Sequence, residues 1–156
     1  MKDNQEYTDD YEKRAVELTR QLTKKDFRKN AHLFREAANE IIKSANPEAK
    51  EMYNFMLGMS KQQEAKSEAD PCKSVTLLEE ALEHLEKVNW ENKISDQCIE
   101  TKILKLSKEI EINKGNFSKL PDLFFRIATE ENRRGNNKAY NVNMGLYHLH
   151  NAIRLQ

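Results

Sequence analysis

Large apolar residues recur along this chain at alternating steps of three and four, the spacing of one face of an α-helix, and no segment shows the strict alternation of a half-buried strand. A first helix over about Thr8–Thr23 places Tyr7, Tyr11, Leu18 and Leu22 on one side with Ala15 beside them. Thr8, Asp9 and Asp10 suit its start, where side-chain oxygens accept unpaired amide protons. A second helix carries Phe27, Ala31, Phe34, Ala38, Ile41 and Ala45 and is expected to end near Asn46-Pro47, because proline disfavours helix in the residue before it. Asn46-Pro47 and Asp70-Pro71 each set a capping side chain ahead of a proline at the first helical position. They predict a third helix from Pro47 to Ala69 and a fourth from Pro71 to about Val88, the latter with Val75, Leu78, Leu82 and Leu85 inward. Asn89–Ile94 reads as a loop with Trp90 folded onto the core, and a fifth helix opens at Ser95-Asp96 with Ile99, Ile103, Leu106 and Ile110 on one stripe.

Two similar turns follow, Lys114-Gly115-Asn116 and Arg134-Gly135-Asn136. In each, glycine stands where a helix stop needs the left-handed conformation. Pro121 begins a sixth helix holding Leu123, Phe124, Ile127 and Ala128. A seventh runs from about Asn137 to Arg154 with Val142, Leu146, Leu149 and Ile153 expected inward, flanked by Tyr140, Met144 and Tyr147. The fold class expected is therefore all-α, with about seven helices.

Three of these helices share one phrase: a small or polar residue, three residues, a large apolar one, two residues, then alanine. It occurs as Asn30–Phe34–Ala37, Ser74–Leu78–Ala81 and Gly145–Leu149–Ala152. A small residue beside a bulky one and alanine lets a neighbouring helix approach while one knob fills the gap. Leu57-Gly58 stands in the helix before the second copy, and Gly115–Leu120–Phe124 repeats the turn-and-helix phrase. With these features the chain, from about Tyr7 to Arg154, resembles tetratricopeptide-repeat (TPR) proteins. Their pattern places Leu-Gly on a first helix and Ala-x3-Phe-x2-Ala on a second. Phe34 and Leu78 lie 44 residues apart, against about 34 in that family.

The resemblance implies one domain over residues 1–156. In it, three antiparallel hairpins stack as a short TPR-like array, with the seventh helix covering the apolar end of the last. It further implies a concave face lined by the first helix of each hairpin, which would bind a peptide or partner protein. Mapping through Leu57-Gly58 directs Phe55, Met59 and Gln62 to that face, and mapping through Gly115 directs Lys102, Lys105 and Glu109 there. A Met-and-Phe floor beside lysines suits an amphipathic segment with an acidic flank. The competing reading is a compact helical bundle whose apolar stripes give a structural homodimer.

Composition narrows the function classes. The 156 residues include 26 Lys and Arg against 26 Asp and Glu, so a general polyanion binder, which needs surplus cations, is not expected. A membrane-surface protein held by basic charge is not expected either. The longest apolar run, Phe55–Met59, is far short of the roughly 18 residues a membrane span needs. The start, Met1-Lys2-Asp3-Asn4-Gln5-Glu6, is polar and unlike a secretory signal. Cys72 and Cys98 form no Cys-x-x-Cys pair, which fits a reducing cytosol. His32 with Glu36 and Glu80 with His84 stand one turn apart, yet no Glu-x-x-His motif occurs, so surface ion pairing accounts for them better than a di-metal centre. His148 and His150 diverge on a helix and cannot share a ligand. The expectation is a non-catalytic cytoplasmic adaptor without cofactor or metal.

Overall fold

The computed structural model describes residues 9–88 and 93–155, the side chains of 93–98 excepted. The expectations for Tyr7, Thr8, Trp90 and the Cys98 side chain fall outside those residues. Among the described residues there are seven α-helices and no strand. They are α1 (Asp10–Thr19), α2 (Phe27–Ile41), α3 (Ala49–Ser67), α4 (Pro71–Glu86), α5 (Lys93–Lys114), α6 (Leu120–Arg133) and α7 (Asn137–Arg154), with a 3-10 turn at Phe117–Lys119 before α6. The chain divides into two compact units, Met1–Trp90 and Glu91–Gln156.

In the first unit α2 packs between α1 and α3, and α3 between α2 and α4. Cross-helix bonds show that consecutive helices run antiparallel. Asp9, at the start of α1, accepts from the Ser44 hydroxyl at 2.7 Å beyond the end of α2. Asn30, early in α2, donates to Gln63, late in α3. Ser74, early in α4, donates to the Ala65 carbonyl, late in α3, at 3.0 Å. Ala15, Ala37 and Ile41 are buried together, with Met52, Tyr53 and Met56 of α3 packed against them.

The first two copies of the shared phrase build these contacts. Phe34, Ala37, Leu78 and Ala81 are buried. Asn30 is buried and accepts the Thr23 amide proton at 2.9 Å while donating to the Thr23 carbonyl, which fixes the α1–α2 connection. Gly58 lies under Leu85 and the Ala81 carbonyl, so closely that a Cβ there would sit 2.9 Å from Leu85 Cδ2. Glycine is thus required by the α3–α4 approach.

Both α1 and α2 stop earlier than their hydrophobic spacing suggests. After Ile41 the backbone leaves the helix so that the Ser44 hydroxyl and the Ala45 amide can both donate to Asp9. Asn46 then accepts from the Glu48 amide at 2.9 Å, making a side-chain-closed turn ahead of α3. Short polar side chains here compete with helix for backbone partners. Pro47 consequently lies in the turn and α3 begins at Ala49, whereas Pro71 does open α4, with Asp70 capping the Cys72 amide.

In the second unit α5 packs on α6 and α6 on α7. Ile99, Leu106 and Ile110 of α5 and Leu123, Phe124, Ile127 and Ala128 of α6 are buried as the spacing predicts. The twin turns are one device used twice. Gly115 and Gly135 have φ of 76° and 78°. The amides of Asn116 and Asn136 reach back to the carbonyls of Glu111 and Glu131, each at 2.9 Å. This six-to-one closure satisfies helix-end carbonyls and needs a left-handed residue at the glycine.

Candidate interaction faces

The seventh helix departs most from its sequence reading. Its packed side is centred on Ala139, Tyr140, Asn143, Met144, Tyr147, His150 and Asn151, all half-buried. His150 stacks on Phe124 with ring centroids 5.1 Å apart, and Tyr147 meets Phe125 at 5.3 Å. Aromatic and imidazole rings of α7 thus meet the rings of α6, and this rotates the aliphatic stripe outward. Val142, Leu149 and Ile153 are 54%, 54% and 53% exposed, and no residue of α7 is fully buried. The expectation that Val142, Leu146, Leu149 and Ile153 face the core is corrected accordingly; Leu146 alone is half-buried.

Gly145, Leu149 and Ala152, the third copy of the packing phrase, all lie exposed. A Cβ at Gly145 would meet nothing within 4 Å. The stripe continues onto the 3-10 turn: Phe117 is 56% exposed. With Ser118, His150, Ile153 and Arg154 it lines a small cleft of about 150 Å³. Sequence reasoning did not single out Phe117, although a large apolar residue directly after a glycine stop was the available signal.

The six residues assigned to a binding face fall in two places. Phe55, Met59 and Gln62 share one side of α3, between the residues that meet α2 (Ser60, Gln63) and those that meet α4 (Gly58, Ala65). All three are half-buried. Lys102, Lys105 and Glu109 lie along α5 in the second unit, Lys105 exposed and the other two half-buried. Lys105 is engaged within the unit: its Nζ is 3.6 Å from Glu131 Oε1.

Glu131 itself is the most enclosed carboxylate described, its side chain 2% exposed. Arg134 approaches the same oxygen at 3.6 Å, and the Asn136 amide donates to Oε2 at 2.9 Å. Asn136 also caps α7 through the Ala139 amide. The group therefore ties α5, the end of α6 and the start of α7 together, a structural assignment for a buried acid with two cations.

Among the described residues no three His, Cys, Asp or Glu side chains gather as a metal site. His32 Nε2 pairs with Glu36 at 2.9 Å, as expected, while Glu80 pairs with Lys61 at 3.0 Å rather than with His84. His84 is partly buried, and the loss of solvation holds its pKa below the ordinary histidine value. A cleft of about 490 Å³ between α1 and α2 is lined by Arg14, Glu36 and Glu40 among others, with Arg14 already 3.1 Å from Glu40. No described helix is long and apolar enough to cross a membrane. No known protein family, curated protein or solved structure matches the chain.

Proposed function

We propose that this chain is a non-catalytic, TPR-like protein-interaction module and that its principal docking face is the outward side of α7. One observation carries the reading: a phrase that in α2 and α4 is buried against a neighbouring helix lies uncovered in α7. Three aliphatic side chains, each more than half exposed along one helix side, together with Phe117, form the kind of contiguous apolar patch that marks an interaction site. A small residue at Gly145 leaves room for close helix approach, as Gly58 does inside the first unit. The half-buried row Phe55, Met59 and Gln62 is a secondary candidate for the same work.

The test is affinity capture with wild type and Leu149→Glu compared side by side. Leu149 is exposed, so the variant is expected to keep its helical circular dichroism while losing the captured partner. An identical captured set from both proteins would remove α7 from the account.

A second reading has its own support. The stripe Val142, Leu146, Leu149, Ile153 has steps of four, three and four, which read the same in both directions. An antiparallel second copy would set Val142 opposite Ile153 and Leu146 opposite Leu149, as a two-fold interface requires. Sedimentation at several protein concentrations distinguishes this homodimer from a monomeric module.

A further inference from the structure

Charge decides between these occupants. We infer that the partner on the outward side of α7 is an amphipathic helix whose apolar stripe is flanked by carboxylates; the inference rests on the docking face proposed above. Residues 132–156 contain no Asp or Glu at all, in a chain where 26 of 156 residues are acidic. The cations of this segment are Arg133, Arg134, Lys138 and Arg154. The first two are engaged within the unit, Arg133 with Glu130 at 3.0 Å and Arg134 with Glu131.

The other two lie near the two ends of α7. Lys138 lies one turn before Val142 on the same helix side and is exposed; no ion pair of it is found among the described residues. It stands in the first turn of α7, which contains no acidic residue. There its charge adds to the positive end of the helix dipole instead of opposing it. Arg154, near the other end, donates to Asn151 Oδ1 at 2.7 Å and lines the cleft with Phe117 and Ile153; it lies about 160° round the helix from Lys138, off the side that bears the stripe. At 1.5 Å per residue the side from Lys138 to Ile153 runs about 22 Å along the helix axis, a length that a partner helix of about four turns covers. A second copy of α7 brings only further positive charge and no carboxylate to meet Lys138. A carboxylate-bearing helix neutralises Lys138 and the positive start of α7 and fills the apolar stripe beside it. Helix-in-groove recognition of this kind joins apolar anchors at i, i+3, i+4 and i+7 to charged flanks.

The experiment titrates the full chain with three synthetic helical peptides that share one leucine stripe and differ only in flanking residues: Glu, Gln or Lys. In parallel, sedimentation tests self-association and flotation tests binding to vesicles of phosphatidylcholine with phosphatidylserine. The Glu peptide is expected to bind about threefold more tightly than the Gln peptide, the yield of one modest surface ion pair, and the advantage should shrink with added salt. Lys138→Glu is expected to reverse the order of the Glu and Lys peptides, and Leu149→Glu to abolish binding of all three. Equal binding of the three peptides, or a concentration-dependent dimer lost in Leu149→Glu, overturns the acidic partner while leaving α7 as a docking face. Binding to the vesicles alone, or none of the peptides bound, overturns both the inference and the proposed function.

Discussion

The same substitution, glycine to alanine, is expected to have opposite effects in α3 and α7. At Gly58 an added Cβ would lie 2.9 Å from Leu85 Cδ2, 2.9 Å from Leu85 Cγ and 3.2 Å from the Ala81 carbonyl oxygen. Comfortable carbon contacts are about 3.5–4.0 Å. Leu85 is completely buried, so its side chain has little space to retreat, and the backbone carbonyl moves only with α4. Overpacking of this kind costs about 1–3 kcal/mol, offset by up to about 1 kcal/mol from the better helix propensity of alanine. Gly58→Ala is therefore expected to destabilise by about 1–2 kcal/mol. Gly145 has nothing within 4 Å of an added Cβ, so Gly145→Ala keeps only the propensity gain and stabilises by about 0.5–1 kcal/mol. Urea denaturation followed by circular dichroism measures both, with hydrogen exchange assigning each change to its unit. For a chain of this size a 1 kcal/mol change moves the melting temperature by about 2–4 °C. Equal stabilisation by the two variants would refute the close α3–α4 approach, and equal destabilisation would refute the open outer side of α7.

Other expectations are simpler. Leu78→Ala removes a fully buried side chain between α3 and α4 and should cost about 2–5 kcal/mol in a urea titration. Glu131→Ala leaves two cations that can turn to water, but it removes the hydrogen bond to Asn136 and the link to α5; a loss of about 1–3 kcal/mol and earlier exchange of the first amides of α7 are expected. Asp9 is held below its ordinary pKa of 3.8 by hydrogen bonds from the Glu12 amide, the Ser44 hydroxyl and the Ala45 amide. Its contribution is complete above about pH 3.8 and lost as pH falls through the lower folded value, so Asp9→Asn should flatten the acid limb of a stability–pH curve. His84 is lowered from 6.5 mainly by burial. The fold accommodates its neutral form, so stability should fall as pH drops below 6.5, a slope that His84→Gln should reduce.

The helix inventory was legible because each apolar stripe has a clear period, and the two glycine stops because only glycine readily takes their positive φ. What misled the boundaries of α1 and α2 was competition. Thr23 is tied to Asn30 seven residues on, and Ser44 and Ala45 to the distant Asp9, side-chain bonds that a hydrophobic periodicity does not register. The rotation of α7 was hidden for a related reason. Spacing assigns Val142, Leu149 and Ile153 to a common side but not to a neighbour, and the choice was made by ring contacts with Phe124 and Phe125. The composite face of Phe55, Met59, Gln62, Lys102, Lys105 and Glu109 came from a motif alignment. That alignment could not register that Lys105 is engaged by Glu131, a partner 26 positions further along the chain.

The decisive comparison is the urea midpoint of Leu149→Glu beside that of Leu78→Glu, the same position of the shared phrase in α4. If α7 turns its packing surface outward, Leu149→Glu changes stability by no more than about 0.5 kcal/mol while Leu78→Glu unfolds the first unit. A loss of several kcal/mol in Leu149→Glu would mean that this side chain is already covered within the protein, with no docking face left on α7.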